Sequence, residues 1–189
     1  GRGDVIDMAM LDATLSWLPN ATGLVFAEDR MPVVKQERQW GGGAFYGIYD
    51  TADGKQVVLG GSEHKFVETL LHALARPDLI AAASGPPGPA HAPVQDFLRA
   101  TFATRTRAEW EAWFEGRDVC FAPLLDLREA FAHPQAAARE MLLRDEQGSL
   151  HIGLPIKFRD EPGQLNPRLP ALGEHTDEVI AAARARPAR

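Results

Sequence analysis

Glu63 is the residue best placed to do chemistry. It closes Gly60-Gly61-Ser62-Glu63, between the apolar run Val57-Val58-Leu59 and a segment that sets Phe66, Leu70, Leu71 and Leu74 on one helical face. A carboxylate between a glycine-rich strand end and a helix N-terminus is held in a defined place, from which it can take or return a proton. The ordinary alternative is that such a Glu, in the first turn of a helix, only caps it. Gly41-Gly42-Gly43 is the second candidate. Glycines can swing and let backbone N–H groups approach an oxyanion. The run lacks the G-x-G-x-x-G spacing and strand–helix context of a nucleotide-binding fingerprint. Tyr46 follows it, and a strand tyrosine ordinarily packs.

Other chemistries find no support. His64 adjoins Glu63, points elsewhere on the helix and is expected to be exposed; His72, His91, His133, His151 and His175 are dispersed. No pair has metal-ligand spacing with a carboxylate or cysteine, so no metal is expected. No serine sits in G-x-S-x-G, and no Cys–His pairing can be argued. The single cysteine, Cys120, excludes an internal disulfide and reads as a small core residue of a buried strand. Arg2-Gly3-Asp4 reads as a turn before a strand, and Asn20-Ala21-Thr22 is a glycosylation sequon without meaning unless the chain is secreted.

The elements that position these residues follow from pattern. Tyr46, Ile48 and Asp50 alternate with Phe45, Gly47 and Tyr49, as in a strand, and Asp53-Gly54 is a two-residue hairpin signal. Ser62 is expected to cap the helix that follows. Upstream, Val5, Ile6, Met8 and Met10 suggest a short buried strand, and Leu11–Leu18 a helix ended by Pro19-Asn20, with residues 19–44 extended. Residues 82–93 are dense in Gly and Pro and read as a loop. Residues 94–103 and 107–115 read as amphipathic helices. Thr106 and Glu109 form a capping box on the second, and Trp110, Trp113 and Phe114 give it an apolar face. Val119–Ala122 is expected to be a strand stopped by Pro123, followed by helices at 127–132 and 134–139 and a hairpin over 141–152 with Gly148 in its turn. Residues 153–171 are extended, and Thr176 caps a last helix ending in Arg184, Arg186 and Arg189.

Composition sets the outer bounds. A length of 189 residues allows one or two domains, and 45% hydrophobic content is enough for a core. The net charge of −6 leaves no electrostatic footprint for nucleic acid. No run of about 18 apolar residues or signal peptide is present, so no membrane partner is expected and a cytoplasmic location is the default.

The stretch from Phe45 to Leu74 resembles the small domain of the class III CoA-transferases (the CaiB/BaiF type), which include formyl-CoA and carnitine-type CoA-transferases and the α-methylacyl-CoA racemases. Gly1–Leu15 is similar to the family's strand and helix after its central catalytic region. Arg117–Gln135 is similar to the small-domain strand, helix and His-Pro step, and Leu172–Ile180 to the C-terminal signature. The resemblance implies an α/β fold: the C-terminal part of a Rossmann-like large domain plus an α+β small domain. It places the end of the large domain at 1–22, a connection at 23–44, the small domain at 45–152 and a segment returning to the large domain at 153–189.

The resemblance also implies an activity. The expected reaction is transfer of CoA from an acyl-CoA thioester to a carboxylic acid, through an aspartyl intermediate supplied by sequence upstream. The alternative is racemisation of a 2-methylacyl-CoA with Glu63 as the acid/base; a third reading is a noncatalytic truncated or split subunit. Gly41, Gly42 and Gly43 would cover the site or serve as a conformational joint, and Tyr46 would line the acyl pocket. Coenzyme A enters as part of the substrate, with no permanently bound cofactor. The complete enzyme would be an interlocked homodimer, and this chain alone is expected to be inactive.

Overall fold

The computed structural model describes residues 3–164, 166 and 168–185. Arg2, Arg186 and Arg189 lie outside the described residues. The chain divides after Leu124 into two compact units, each of mixed helix and sheet.

In the first unit, helices α1 (Met10–Ser16) and α2 (Pro19–Glu28) precede a hairpin of β1 (Tyr46–Asp50) and β2 (Gln56–Gly60). Then come α3 (His64–Ala73), α4 (Ile80–Ala83), α5 (Ala92–Phe102), α6 (Arg107–Phe114) and β3 (Phe121–Leu124). The strands form one antiparallel sheet in the order β1-β2-β3, with Tyr46 opposite Gly60 and Val57 opposite Pro123. The period-2 pattern decides the faces. Tyr49, Val57 and Leu59 are buried against Val67, Leu70 and Leu71 of α3, Val94, Leu98 and Phe102 of α5, and Trp110 and Phe114 of α6. Phe114 stacks on Phe121 with ring centroids 3.8 Å apart, and the buried Trp110 Nε1–H donates to the Phe102 carbonyl at 2.8 Å. The aromatic stripe of α6 is therefore core. Tyr46, Ile48 and Leu124, on the other face, are exposed.

The second unit holds α7 (Leu127–Ala132), α8 (Pro134–Ala138), a hairpin of β4 (Leu142–Arg144) and β5 (Leu150–Ile152), and α9 (Thr176–Ala185). Asp126 and Glu129 form a capping box on α7, and Gly148 turns the hairpin at φ +87°. The Asp145 carboxylate accepts the N–H groups of Gln147 and Ser149 and faces His151 Nε2 at 2.8 Å.

Several local expectations need correction. Residues 5–9 form no strand: Val5, Ile6 and Met8 are exposed, and none of the described residues pairs with them. Pro19 opens α2 instead of ending α1, because the first turn of a helix does not need the amide that proline lacks. The β1–β2 turn has positive φ only at Gly54, and its Gly54 N–H to Thr51 carbonyl bond spans Ala52 and Asp53. Pro123 lies within β3 instead of stopping it. An edge strand tolerates a residue with no N–H to give. Residues 80–92 contain α4 and a 3-10 turn at Pro89–His91, so the Gly/Pro-rich stretch is partly helical. Cys120 precedes β3 and is exposed, not core.

Candidate active site

The candidate residues collect at one end of the β1-β2-β3 sheet. Tyr46 opens β1 and lies opposite Gly60, the last residue of β2; the Gly60 N–H donates to the Cys120 carbonyl at 2.9 Å. The chain leaves β2 through Gly61, where a Cβ would meet Phe66 Cδ2 at 2.7 Å and Cys120 Cβ at 2.8 Å. Only glycine fits so close an approach without something shifting. Next comes Ser62, whose Oγ is buried with no hydrogen-bond partner among the described residues. Ser62 therefore does not cap α3. The N-cap position is one residue later, at Glu63, with φ −64° and ψ 139°.

Glu63 is exposed and does not spend its carboxylate on capping: no side-chain cap bond forms, although its carbonyl accepts the Phe66 N–H at 2.9 Å. Its neighbours are engaged. His64 Nδ1 lies 3.0 Å from Ser84 Oγ and its Nε2 3.2 Å from Glu68, while Lys65 Nζ lies 3.4 Å from Asp118. Glu63 thus presents its carboxylate to the surface from the fixed backbone position of the N-cap. His64 is exposed, as its place beside Glu63 predicts.

Gly41 takes φ +88° at the end of a 3-10 turn (Arg38–Trp40). Gly42 is buried, and a Cβ there would meet the backbone of Gln36 and Glu37 at 2.7–2.8 Å. Its N–H donates to the Glu37 carbonyl at 2.8 Å, and its carbonyl accepts the Gly88 N–H at 3.0 Å. Gly43 is buried, and its carbonyl accepts the Tyr46 N–H at 3.2 Å. The run is a packed corner leading into β1. Tyr46 projects from the outer face of the sheet, 38% exposed, with the Arg38 guanidinium 5.3 Å from its ring centroid. A cavity of about 240 Å³ opens beside Arg38, lined also by Asn20, Leu24, Trp40 and Pro87.

Tyr49 stands on the opposite face from Tyr46. Its hydroxyl donates to the Ala44 carbonyl, and burial pushes the phenol well above its ordinary range. Reading the sequence also missed His91, Cys120 and Arg38 as neighbours of this region. His91 lies 47 residues from its partner Ala44, a separation that no local pattern encodes. Among the described residues no three His, Cys, Asp or Glu side chains gather as a metal site, and no helix is long and apolar enough to cross a membrane.

A strand–turn–strand thus runs through a glycine pair into the N-terminus of α3, with the exposed Glu63 carboxylate at the N-cap position. The chain belongs to CoA-transferase family III, whose model matches residues 1–176. It is similar to an α-methylacyl-CoA racemase from Mus musculus, with 32% identity over 95% of this chain and 47% of the relative. It is also similar to an acetyl-CoA:oxalate CoA-transferase from Acetobacter aceti, with 28% identity over 92% of this chain and 45% of the relative. Among solved structures, a CAIB/BAIF family protein from Brucella suis aligns with a TM-score of 0.65 and 27% identity, over 94% of this chain and 47% of that one. The chain thus spans about half the length of the relatives it matches.

Proposed function

We propose that the intact protein acts on acyl-CoA thioesters and exchanges the proton α to the thioester carbonyl, with Glu63 as one acid/base. The observation that carries this reading is the Glu63 carboxylate itself, exposed at the N-cap of α3 and uncommitted to the cap while His64 and Lys65 are paired. In the forward step Glu63 takes the α-proton and becomes a carboxylic acid. The electron pair moves from the C–H bond into the enolate, with charge on the thioester oxygen. A second acid on the opposite face, from sequence beyond this chain, returns a proton to the α-carbon and inverts it. Tyr46, on the same sheet end, lines the acyl side.

The second reading is transfer of CoA from an acyl-CoA to a carboxylic acid. An aspartate from beyond this chain would be the nucleophile, and Gly41–Gly43 would stand against the intermediate. The family to which the chain belongs and the likeness to an oxalate-using transferase favour it. In either reading residues 1–22 finish a large domain, residues 153–189 return to it, and the intact enzyme is a dimer.

One experiment separates the two. The intact protein is incubated in D2O with a 2-methylacyl-CoA, with and without an added carboxylic acid such as oxalate. Deuterium entering the α-carbon while the thioester persists supports proton exchange. Formation of a new CoA thioester of the added acid, with no deuterium at the α-carbon, overturns it in favour of transfer.

A further inference from the structure

His91 has 5% of its surface exposed, and no step described above uses it. Both ring nitrogens are engaged. Nδ1 accepts the Ala44 N–H at 3.1 Å, and Nε2 lies 2.9 Å from the Gly85 carbonyl. A backbone N–H only donates and a carbonyl oxygen only accepts. The partners therefore select one state: Nδ1 bare, Nε2 protonated, the ring neutral.

Two further bonds run from the same segment to the glycine corner. The Gly88 N–H donates to the Gly42 carbonyl and Gln95 Nε2 donates to the Gly41 carbonyl, each at 3.0 Å. The His91 N–H in turn holds the Gly88 carbonyl at 3.0 Å. Gly88 takes φ +110° with its Cα face against Gln36, a conformation that other residues rarely adopt. Gly41, Gly42 and Ala44 are thus held from one stretch of chain, and of the three holds only that on Ala44 depends on which ring nitrogen carries a proton.

We propose that His91 is a positioning residue for the candidate active site: its neutral Nε2–H form clamps the backbone from Gly42 to Ala44 and thereby sets where Tyr46 stands relative to Glu63. The proposal rests on the reading of Tyr46 and Glu63 as site residues. Ala44 is the lever. Its N–H is taken by His91, its carbonyl takes the Tyr49 hydroxyl, and two residues later Tyr46 begins β1 opposite Gly60. Releasing His91 leaves a buried N–H without a partner at the turn into that strand, which favours local opening.

The test uses the intact protein with 15N-labelled histidine, together with His91→Asn and His91→Ala. Asn supplies an acceptor oxygen and an N–H donor in one side chain; Ala supplies neither. In the wild type the imidazole proton is expected on Nε2, and finding it on Nδ1 overturns the clamp. Amide exchange at Ala44 is expected to rise about tenfold or more in His91→Ala and to return most of the way in His91→Asn. In α-proton exchange, kcat is expected to fall about tenfold in His91→Ala with KM little changed, and to recover in part in His91→Asn. Unchanged Ala44 exchange, or a loss of thermal stability with kcat intact below the transition, also overturns the proposal. If His91→Ala does not fold, the wild-type tautomer and His91→Asn decide. A wild type that exchanges no α-proton sinks the Glu63 reading instead, and the tautomer with Ala44 exchange still decides the clamp.

Discussion

Gly61 and Cys120 are packed backbone to side chain: a Cβ on Gly61 would stand 2.8 Å from the Cys120 Cβ and 2.9 Å from its Sγ. Real Cβ atoms do not approach that closely, and a Cβ is not the movable end of a side chain. Gly61→Ala is therefore expected to cost about 1–3 kcal/mol, the usual range for overpacking, read from urea unfolding. The strain falls two residues before Glu63, so turnover should drop by more than the unfolded fraction explains. Cys120→Gly in the Gly61→Ala background should restore only part of the loss, since Phe66 Cδ2 still lies 2.7 Å from the new methyl. Full stability in the single variant would show that the Gly60–Glu63 segment can shift freely.

Asp53 ties the β1–β2 turn to α6. Its carboxylate accepts the Thr51 hydroxyl at 2.5 Å and the Arg107 N–H at 3.2 Å. The Thr51 hydrogen bond, followed by the backbone bond from Arg107, holds its pKa below the ordinary carboxylate value. A folded-state pKa below the unfolded one means stability that is present above the unfolded pKa and lost as pH falls through the folded one. Asp53→Ala should therefore be less stable than wild type at neutral pH, and the gap should close in acid as the wild-type carboxyl protonates. Urea midpoints for the two proteins from pH 7 downward check this. Parallel curves would remove Asp53 from the acid limb.

Among the described residues, α6 carries a complete capping box at Thr106–Glu109 and α7 one at Asp126–Glu129. In each, the N-cap side chain accepts the N3 amide and the Glu reaches back to the N-cap amide. Thr106→Ala and Asp126→Ala should each cost about 1 kcal/mol. Thr106→Ser should lie near wild type, because the hydroxyl rather than the methyl makes the bond. Thermal unfolding of the three variants tests this.

Local signals account for what the sequence made legible. Alternation placed β1, the Asp53-Gly54 signal and the apolar run after it placed β2, the 3.6 period placed α3, α5 and α6, and both the Thr106 box and the Gly148 turn stand where their residue types put them. The failures are also physical. Apolar Val5, Ile6 and Met8 read as a strand, but a strand needs a partner that pattern cannot supply. Ser62 is an N-cap residue by type and Glu63 is not, yet the N-cap position falls on Glu63. The chain enters α3 through the tight passage at Gly61 against Phe66 and Cys120, a tertiary contact that residue type does not encode. Of the candidate site, Glu63, Tyr46 and the glycine run were named one by one. Their shared sheet end rests on the Tyr46–Gly60 register, and the hold of His91 on Ala44 spans 47 residues.

Glu63 and His64 adjoin in sequence but differ in what they are committed to, and that difference yields the sharpest expectation. His64 touches Ser84 and Glu68, whereas the Glu63 side chain makes no cap bond. Removing the charge of Glu63 should therefore leave folding nearly untouched while removing a base. In the intact protein, Glu63→Gln should lower α-proton exchange by about 10²–10⁴-fold, the usual contribution of a positioned acid or base, with thermal stability within about 0.5 kcal/mol of wild type, as for a surface change. His64→Ala loses two exposed contacts and should retain exchange within a few-fold. Deuterium uptake at the α-carbon and a thermal melt on the same samples measure both quantities. Equal losses in the two variants would mean that the N-terminus of α3, rather than the Glu63 carboxylate, matters to turnover. Loss in Glu63→Gln alone, at unchanged stability, assigns the proton to Glu63.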